Sequence, residues 1–287
     1  MLLLAFPTLL TAQTDVWGDF QEDPNKKPAE KEFVTATFKA TRLINFHTVE
    51  VGGKKGLDFR ISHRFGELNG GAYNFFGLDG GASIRIALEY SPDNRIQFGL
   101  GRTSSEKQLD GFVKYRAVRQ TVDDKTPLSI TLLGSTYFTM LRDTAKYKEI
   151  AHRLSYGAQV IIARKFSKRL SAQLSPTFLH YNLVKGLSDP NSQFVLGASG
   201  RYKFNGSSAI TAEYGYVFNP FKSAKYYNSL GIGIDIETGG HVFQMHFTNS
   251  FGLTENQYLS RTTTTWTNWG IRLGFNISRM FTIGARH

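Results

Sequence analysis

Thirteen polar side chains sit at alternate positions in runs otherwise rich in Ile, Leu, Phe and Tyr: Asp58, Arg60, Arg64, Arg85, Glu89, Arg201, Lys203, Glu213, Asp235, Glu237, Gln244, His246 and Arg272. Six cations meet five carboxylates in this set, with His246 neutral. Charges of both signs at strand spacing can line a narrow path for small solutes. They can also pair with each other and fill a closed space. A path selective for anions would carry one dominant sign along its wall, and this set does not. Two functions follow. One is a small-solute channel or ligand-binding barrel. The other is a non-conducting accessory or scaffold subunit of a larger complex.

Enzymatic chemistry has less to work with. His241 and His246 stand five apart, so they face opposite sides of a strand and make a poor metal pair. Ser62 and His63 are neighbours, which on a strand point apart and form no nucleophile–base pair. The absence of cysteine removes thiolate chemistry and disulfides. Gly99-Leu-Gly101 and Gly231-Ile-Gly233 lie within strand patterns and open no helix, so they are not nucleotide loops. A lipid hydrolase stands as a third function. The expectation is no enzyme, no cofactor and no metal.

The elements that carry these residues have a period of two. Ser83-Ile-Arg-Ile-Ala-Leu-Glu-Tyr90 puts Ile84, Ile86, Leu88 and Tyr90 on one face, with Arg85, Ala87 and Glu89 on the other. Leu230-Gly-Ile-Gly-Ile-Asp-Ile-Glu237 separates its isoleucines from Gly231, Gly233, Asp235 and Glu237. These segments run for about 10 to 16 residues, against roughly 5–6 in a typical globular strand. An apolar face opposite one of Gly, Ser, Thr and charge fits a barrel whose apolar side meets lipid. The predicted fold is therefore all-β: a transmembrane antiparallel up-and-down barrel of outer-membrane type. The twelve predicted strands lie near 57–66, 82–91, 95–104, 109–121, 127–141, 150–166, 169–184, 193–204, 208–219, 225–238, 241–251 and 266–281. Short and long connections alternate, which places the short turns and both termini in the periplasm.

Residues 1–12 form an apolar run ending in small residues, read as a secretory signal peptide. About 12 residues fall short of the roughly 20 needed for a helical span. Residues 13–32 are an acidic linker containing Pro24 and Pro28. Residues 33–56 are expected outside the barrel wall, in the periplasm or in the lumen, with Lys39, Arg42, Leu43, Ile44 and Asn45 as a candidate plug. Residues 57–287 form the barrel.

The chain carries a net +11 with 39 aromatic residues among 287. With the lumen set nearly balanced, the excess positive charge falls on turns and loops. Arg164, Lys165, Lys168 and Arg169 surround a predicted periplasmic turn and make a basic rim. Such rims suit anionic lipid or lipopolysaccharide headgroups. Further expected partners are the barrel-insertion machinery and other outer-membrane or periplasmic proteins. Nucleic acid is not expected, because the charge is not gathered on one soluble face.

Four strings carry a family resemblance: Leu57-Asp-Phe-Arg-Ile-Ser-His-Arg-Phe-Gly66, Asn69-Gly-Gly-Ala-Tyr-Asn-Phe-Phe-Gly-Leu-Asp-Gly80, residues 236–250 and Gly274-Phe-Asn-Ile-Ser-Arg-Met-Phe281. Over roughly residues 38–281 the chain resembles the DUF5777 family, outer-membrane β-barrel proteins of Bacteroidetes with no assigned function. The resemblance implies the barrel fold and the outer membrane, and it brings no catalytic residues. It also implies a periplasmic redox partner as one form of the scaffold function.

Overall fold

The computed structural model describes residues 31–238 and 241–284. The expected signal peptide, nearly all of the linker and the Gly239-Gly240 turn lie outside the described residues. Twelve strands appear among those described: β1 (Gly56–Glu67), β2 (Ser83–Ser91), β3 (Ile96–Thr103), β4 (Gln108–Val118), β5 (Ser129–Thr139), β6 (Leu154–Lys165), β7 (Leu170–Tyr181), β8 (Ser192–Lys203), β9 (Ser208–Val217), β10 (Ser229–Thr238), β11 (His241–Thr248) and β12 (Arg272–Thr282). Each pairs antiparallel with its sequence neighbours, and β1 closes the sheet on β12 with Phe59 opposite Arg279. Closure leaves no row of unpaired backbone groups to face hydrocarbon. Strands of 8–12 residues match the roughly 9–11 that a tilted strand needs to cross a bilayer.

Alternation decides the faces. Leu100, Met245, Leu88 and Ile86 are more than half exposed on the outside, while Arg60, Arg64 and Arg85 are no more than 1% exposed inside. The protein is thus apolar outward and charged inward, the reverse of a soluble domain.

The short turns are built by side chains that accept their own backbone N–H groups. Asp93 Oδ1 takes the amides of Arg95 (2.7 Å) and Ile96 (2.8 Å) between β2 and β3. Asn205 Oδ1 takes those of Ser207 and Ser208 between β8 and β9, and Ser167 Oγ those of Arg169 and Leu170 between β6 and β7. The long connections lie at the other end. The link from β3 to β4 is short even so, a single turn at Ser105–Lys107.

Some boundaries differ from expectation. The last strand begins at Arg272, not 266, because residues Trp266–Asn268 form a 3-10 turn that ends on Trp269 at φ 54°. That left-handed conformation cannot continue a strand. Residues 150–153 likewise turn before β6 begins at Leu154. Strands β10 and β11 are shorter than predicted, starting at Ser229 and ending at Thr248.

Candidate functional site

Arg42, Leu43, Ile44 and Asn45 lie inside the barrel, at the tip of a hairpin made by residues 37–49. This segment comes in from the short-turn end. Val34 N–H donates to Gln120 O there, and Lys165 Nζ to Thr35 O. The hairpin turns back through Leu43 N–H to Phe46 O (2.9 Å) and Thr48 N–H to Thr41 O (3.0 Å). Every residue from 40 to 49 is buried. Lys39 is different: its side chain is 44% exposed and reaches Glu237 at 2.9 Å, at the short-turn mouth.

Two kinds of contact hold the hairpin. The first is apolar. Phe38, Leu43 and Val49 pack on Phe112, Leu133, Ile161 and Ala163, which point inward from β4, β5 and β6. Phe46 packs with Leu179 and Val195 of β7 and β8, Val217 of β9, and Tyr258 and Leu259 of the β11–β12 connection. These inward apolar residues are absent from the thirteen-residue set. Their signal in the sequence was a loss of alternation, where Leu132-Leu133 and Val160-Ile161-Ile162 are apolar on both faces.

The second kind of contact is polar. Glu213 of β9 accepts the amides of Asn45 (2.9 Å) and Phe46 (3.1 Å) and the Asn45 side-chain amide (2.5 Å). Thr41 Oγ1 donates to Glu89 (3.0 Å) and accepts from Arg60 (3.0 Å), which also pairs with Asp58. Arg64 donates to Asn45 Oδ1 and touches His246. Gln244 donates to Arg42 O and to Asp235, and Asn276 to Ile44 O. Lys114, outside the predicted set, donates to Thr41 O (3.2 Å) and Glu50 O (2.7 Å). Arg85 makes a two-bond pair, at 3.0 and 2.5 Å, with Asp110, which is likewise outside the predicted set.

Three of the thirteen stand at the mouths. Glu237 and Lys203 are half-buried at the short-turn end, where Arg201 reaches Glu237 at 2.7 Å. Arg272 pairs with Glu67 at the long-loop end. The rim residues lie at the short-turn end: Arg164 bonds to Asp124 (2.7 Å), and Lys168 and Arg169 are exposed in the turn.

The long-loop mouth is filled by the β11–β12 connection. Residues 253–260 are all buried there, and Glu255–Tyr258 form one helical turn. Glu255 is the junction of the interior. It meets Arg42 at 2.9 Å and His47 at 3.3 Å from the hairpin, and Tyr137 Oη at 2.8 Å from β5. The sequence offered no sign of this, since residues 252–265 read as an outer loop. Two loops also meet outside the lumen, at Asp189. Burial alone would raise its carboxyl. The Ser223 hydroxyl and the amides of Ser223, Lys222 and Gly186 pull it down to about 2.

A polar vestibule of about 640 Å³ opens at the short-turn mouth, lined by Lys39, Thr41, Glu50, Asp58 and Glu237. One Ser–His contact exists that sequence spacing did not show: His180 Nδ1 lies 2.9 Å from Ser192 Oγ, across β7 and β8. Among the described residues no third side chain bonds to that histidine, so the pair lacks the orienting group of a nucleophilic site. His241 and His246 lie on opposite faces of β11.

Residues 38–281 match the family described as a membrane bound beta barrel domain (DUF5777). No curated protein matches the sequence. Among solved structures, the fold is similar to a NanC porin, with 11% identity, TM-score 0.50 and coverage of 79% of this chain and 98% of that one. A KdgM porin aligns at 11% identity and TM-score 0.47, over 79% of this chain and 99% of that one. The Ralstonia pickettii toluene transporter TbuX aligns at 9% identity and TM-score 0.36, over 80% and 89%. The NanC likeness is one of fold: a closed, porin-like membrane barrel.

Proposed function

Because the chain belongs to the DUF5777 family of membrane-bound β-barrel domains, we propose that it is an outer-membrane channel for small solutes, held shut by its own residues 33–51 together with the β11–β12 connection that the hairpin braces through Arg42 and Glu255. In this reading the short-turn end faces the periplasm, as in bacterial barrels generally. The observation that carries the reading is the hairpin at residues 37–49. It is a separate segment bound inside a complete wall, not part of the wall itself, so removing it breaks no strand pairing. Behind it the wall carries Glu, Arg, Gln, Ser and Thr that water would solvate, beside the apolar patch of Phe112, Leu133 and Ile161. Conductance in planar bilayers tests the reading. The full chain should be silent, and variants that loosen the hairpin should show discrete openings. A loosened hairpin with no conductance at any voltage would overturn it.

The tie between Glu255 and Arg42 favours a second reading, because it locks both mouths to one another. Here the barrel never conducts and serves as a scaffold for other outer-membrane or periplasmic proteins, a redox protein among them. Partners that co-purify from native membranes, together with silent loosened variants, would support it.

A further inference from the structure

The outward face of the wall is not uniform. Strand register puts Ala172, Gly200 and Ala212 side by side across β7, β8 and β9, since Ala172 pairs with Gly200 and Gly200 with Ala212. Ala198 stands one outward position further along β8, between Leu174 and Tyr214. Other strands carry large side chains on the lipid face, such as Ile84, Ile86 and Leu88 on β2 or Phe243, Met245 and Phe247 on β11; a second outward hollow, beside Ala158, has no charged residue in its lining. Four small residues among large ones leave a dent. Its volume is about 520 Å³, and Ile162, Leu174, Tyr214 and Leu230 wall it. That volume falls in the roughly 300–1,000 Å³ range of small-molecule sites.

The dent has a charged end. Along the same register row, Ala172 pairs with Arg164, which lines the dent together with Phe166. Arg164 is the last residue but one of β6, at the short-turn rim, and Lys168 and Arg169 follow in the exposed turn. A guanidinium has five N–H donors. Asp124 and Pro127 O take Nη2 and Nη1 of Arg164, at 2.7 and 3.2 Å. The other donors and the two turn cations remain for an anion. An apolar hollow on a lipid-facing wall, with Arg164 in its lining and two more cations in the turn that follows, matches a molecule with hydrocarbon at one end and negative charge at the other.

We propose that this dent is a binding site for one anionic glycerophospholipid. Its acyl chain fills the hollow over Ala172, Ala198, Gly200 and Ala212. Its phosphate lies at Arg164, Lys168 and Arg169. A second barrel fits less well, because it presents a convex wall and a stable interface needs about 800 Å² on each partner. The site does not depend on whether the lumen conducts.

Native mass spectrometry of the full chain, extracted from membranes in mild detergent, tests the site, with dioleoyl phosphatidylglycerol and dioleoyl phosphatidylcholine as added probes. A Cβ at Gly200 would meet only Ser171 O at 3.6 Å, so the wall accepts a larger side chain there. The double variant Gly200→Leu, Ala212→Phe fills the dent with residues suited to lipid. The wild type should retain one anionic lipid, and the double variant should lose it. Arg164→Gln leaves the dent intact and should lower the preference for phosphatidylglycerol over phosphatidylcholine about fivefold. Equal retention by the wild type and the double variant would overturn the site, as would a wild type that retains none. A wild-type dimer that the double variant dissociates would also overturn it, since a second copy would then fill the dent.

Discussion

Glu213 holds the tip of the internal hairpin, and replacing it by alanine loosens that tip by an amount the geometry sets. The carboxylate accepts from Asn45 N–H, Phe46 N–H and the Asn45 side-chain amide. Hydrogen bonds to a charged group contribute about 1.5 kcal/mol or more each. All three donors are buried, so no water replaces the lost acceptor in the closed state. Against this stands the cost of burying the carboxylate itself, which the alanine relieves. The net loss is about 3 kcal/mol, or ~10²-fold in the closed-to-open ratio. The chain has no cysteine, so Ile44→Cys supplies a single thiol at a position 3% exposed. A water-soluble thiol reagent reaches it only when the hairpin leaves the lumen. The modification rate should rise ~10²-fold when Glu213→Ala is added. Glu213→Gln keeps one acceptor and should fall between. A Glu213→Ala rate within about threefold of the Ile44→Cys parent, under half a decade, would show that this carboxylate does not anchor the hairpin.

Three further outcomes follow from the geometry. Glu255→Ala leaves Arg42 buried with Glu89 at 3.7 Å as its one close carboxylate, and should raise the same thiol rate by a factor matching about 2–5 kcal/mol, with the β11–β12 connection cut faster by protease. Asp110→Ala strands Arg85, which bonds to Asp110 and to no hairpin residue; it should destabilise the barrel by about 3–5 kcal/mol, read as earlier loss of heat-modifiable gel migration, and change the thiol rate much less than Glu213→Ala does. Asp189, held down to about 2, ties the β7–β8 and β9–β10 connections together. A carboxyl lowered by folding contributes stability above its ordinary pKa and loses it as pH falls through the lowered value. Proteolytic protection of residues 182–191 should therefore persist at pH 4 and fall as pH approaches 2, and Asp189→Ala should lack it at every pH.

The parts legible in the sequence were those set by near neighbours. Ile84, Ile86 and Leu88 against Arg85 and Glu89 state a strand and both of its faces within seven residues, because a side chain's face depends only on its parity. Twelve such runs with turn-forming Asp93, Asn205 and Ser167 between them give the barrel and the order of its strands. All thirteen predicted lumen residues share the inner face for the same reason. What the tertiary structure alone decided was where those inner groups find partners. Asn45 meets Glu213 at a separation of 168 residues, and Arg42 meets Glu255 at 213. No local period encodes a contact of that range. Phe112, Leu133 and Ile161 were missed because an inward apolar residue looks like a lapse in the pattern until the hairpin that covers it is in view. The dent at Gly200 was missed for a like reason. Ala172, Gly200 and Ala212 sit on three different strands, and only the register of the closed sheet sets them in one row.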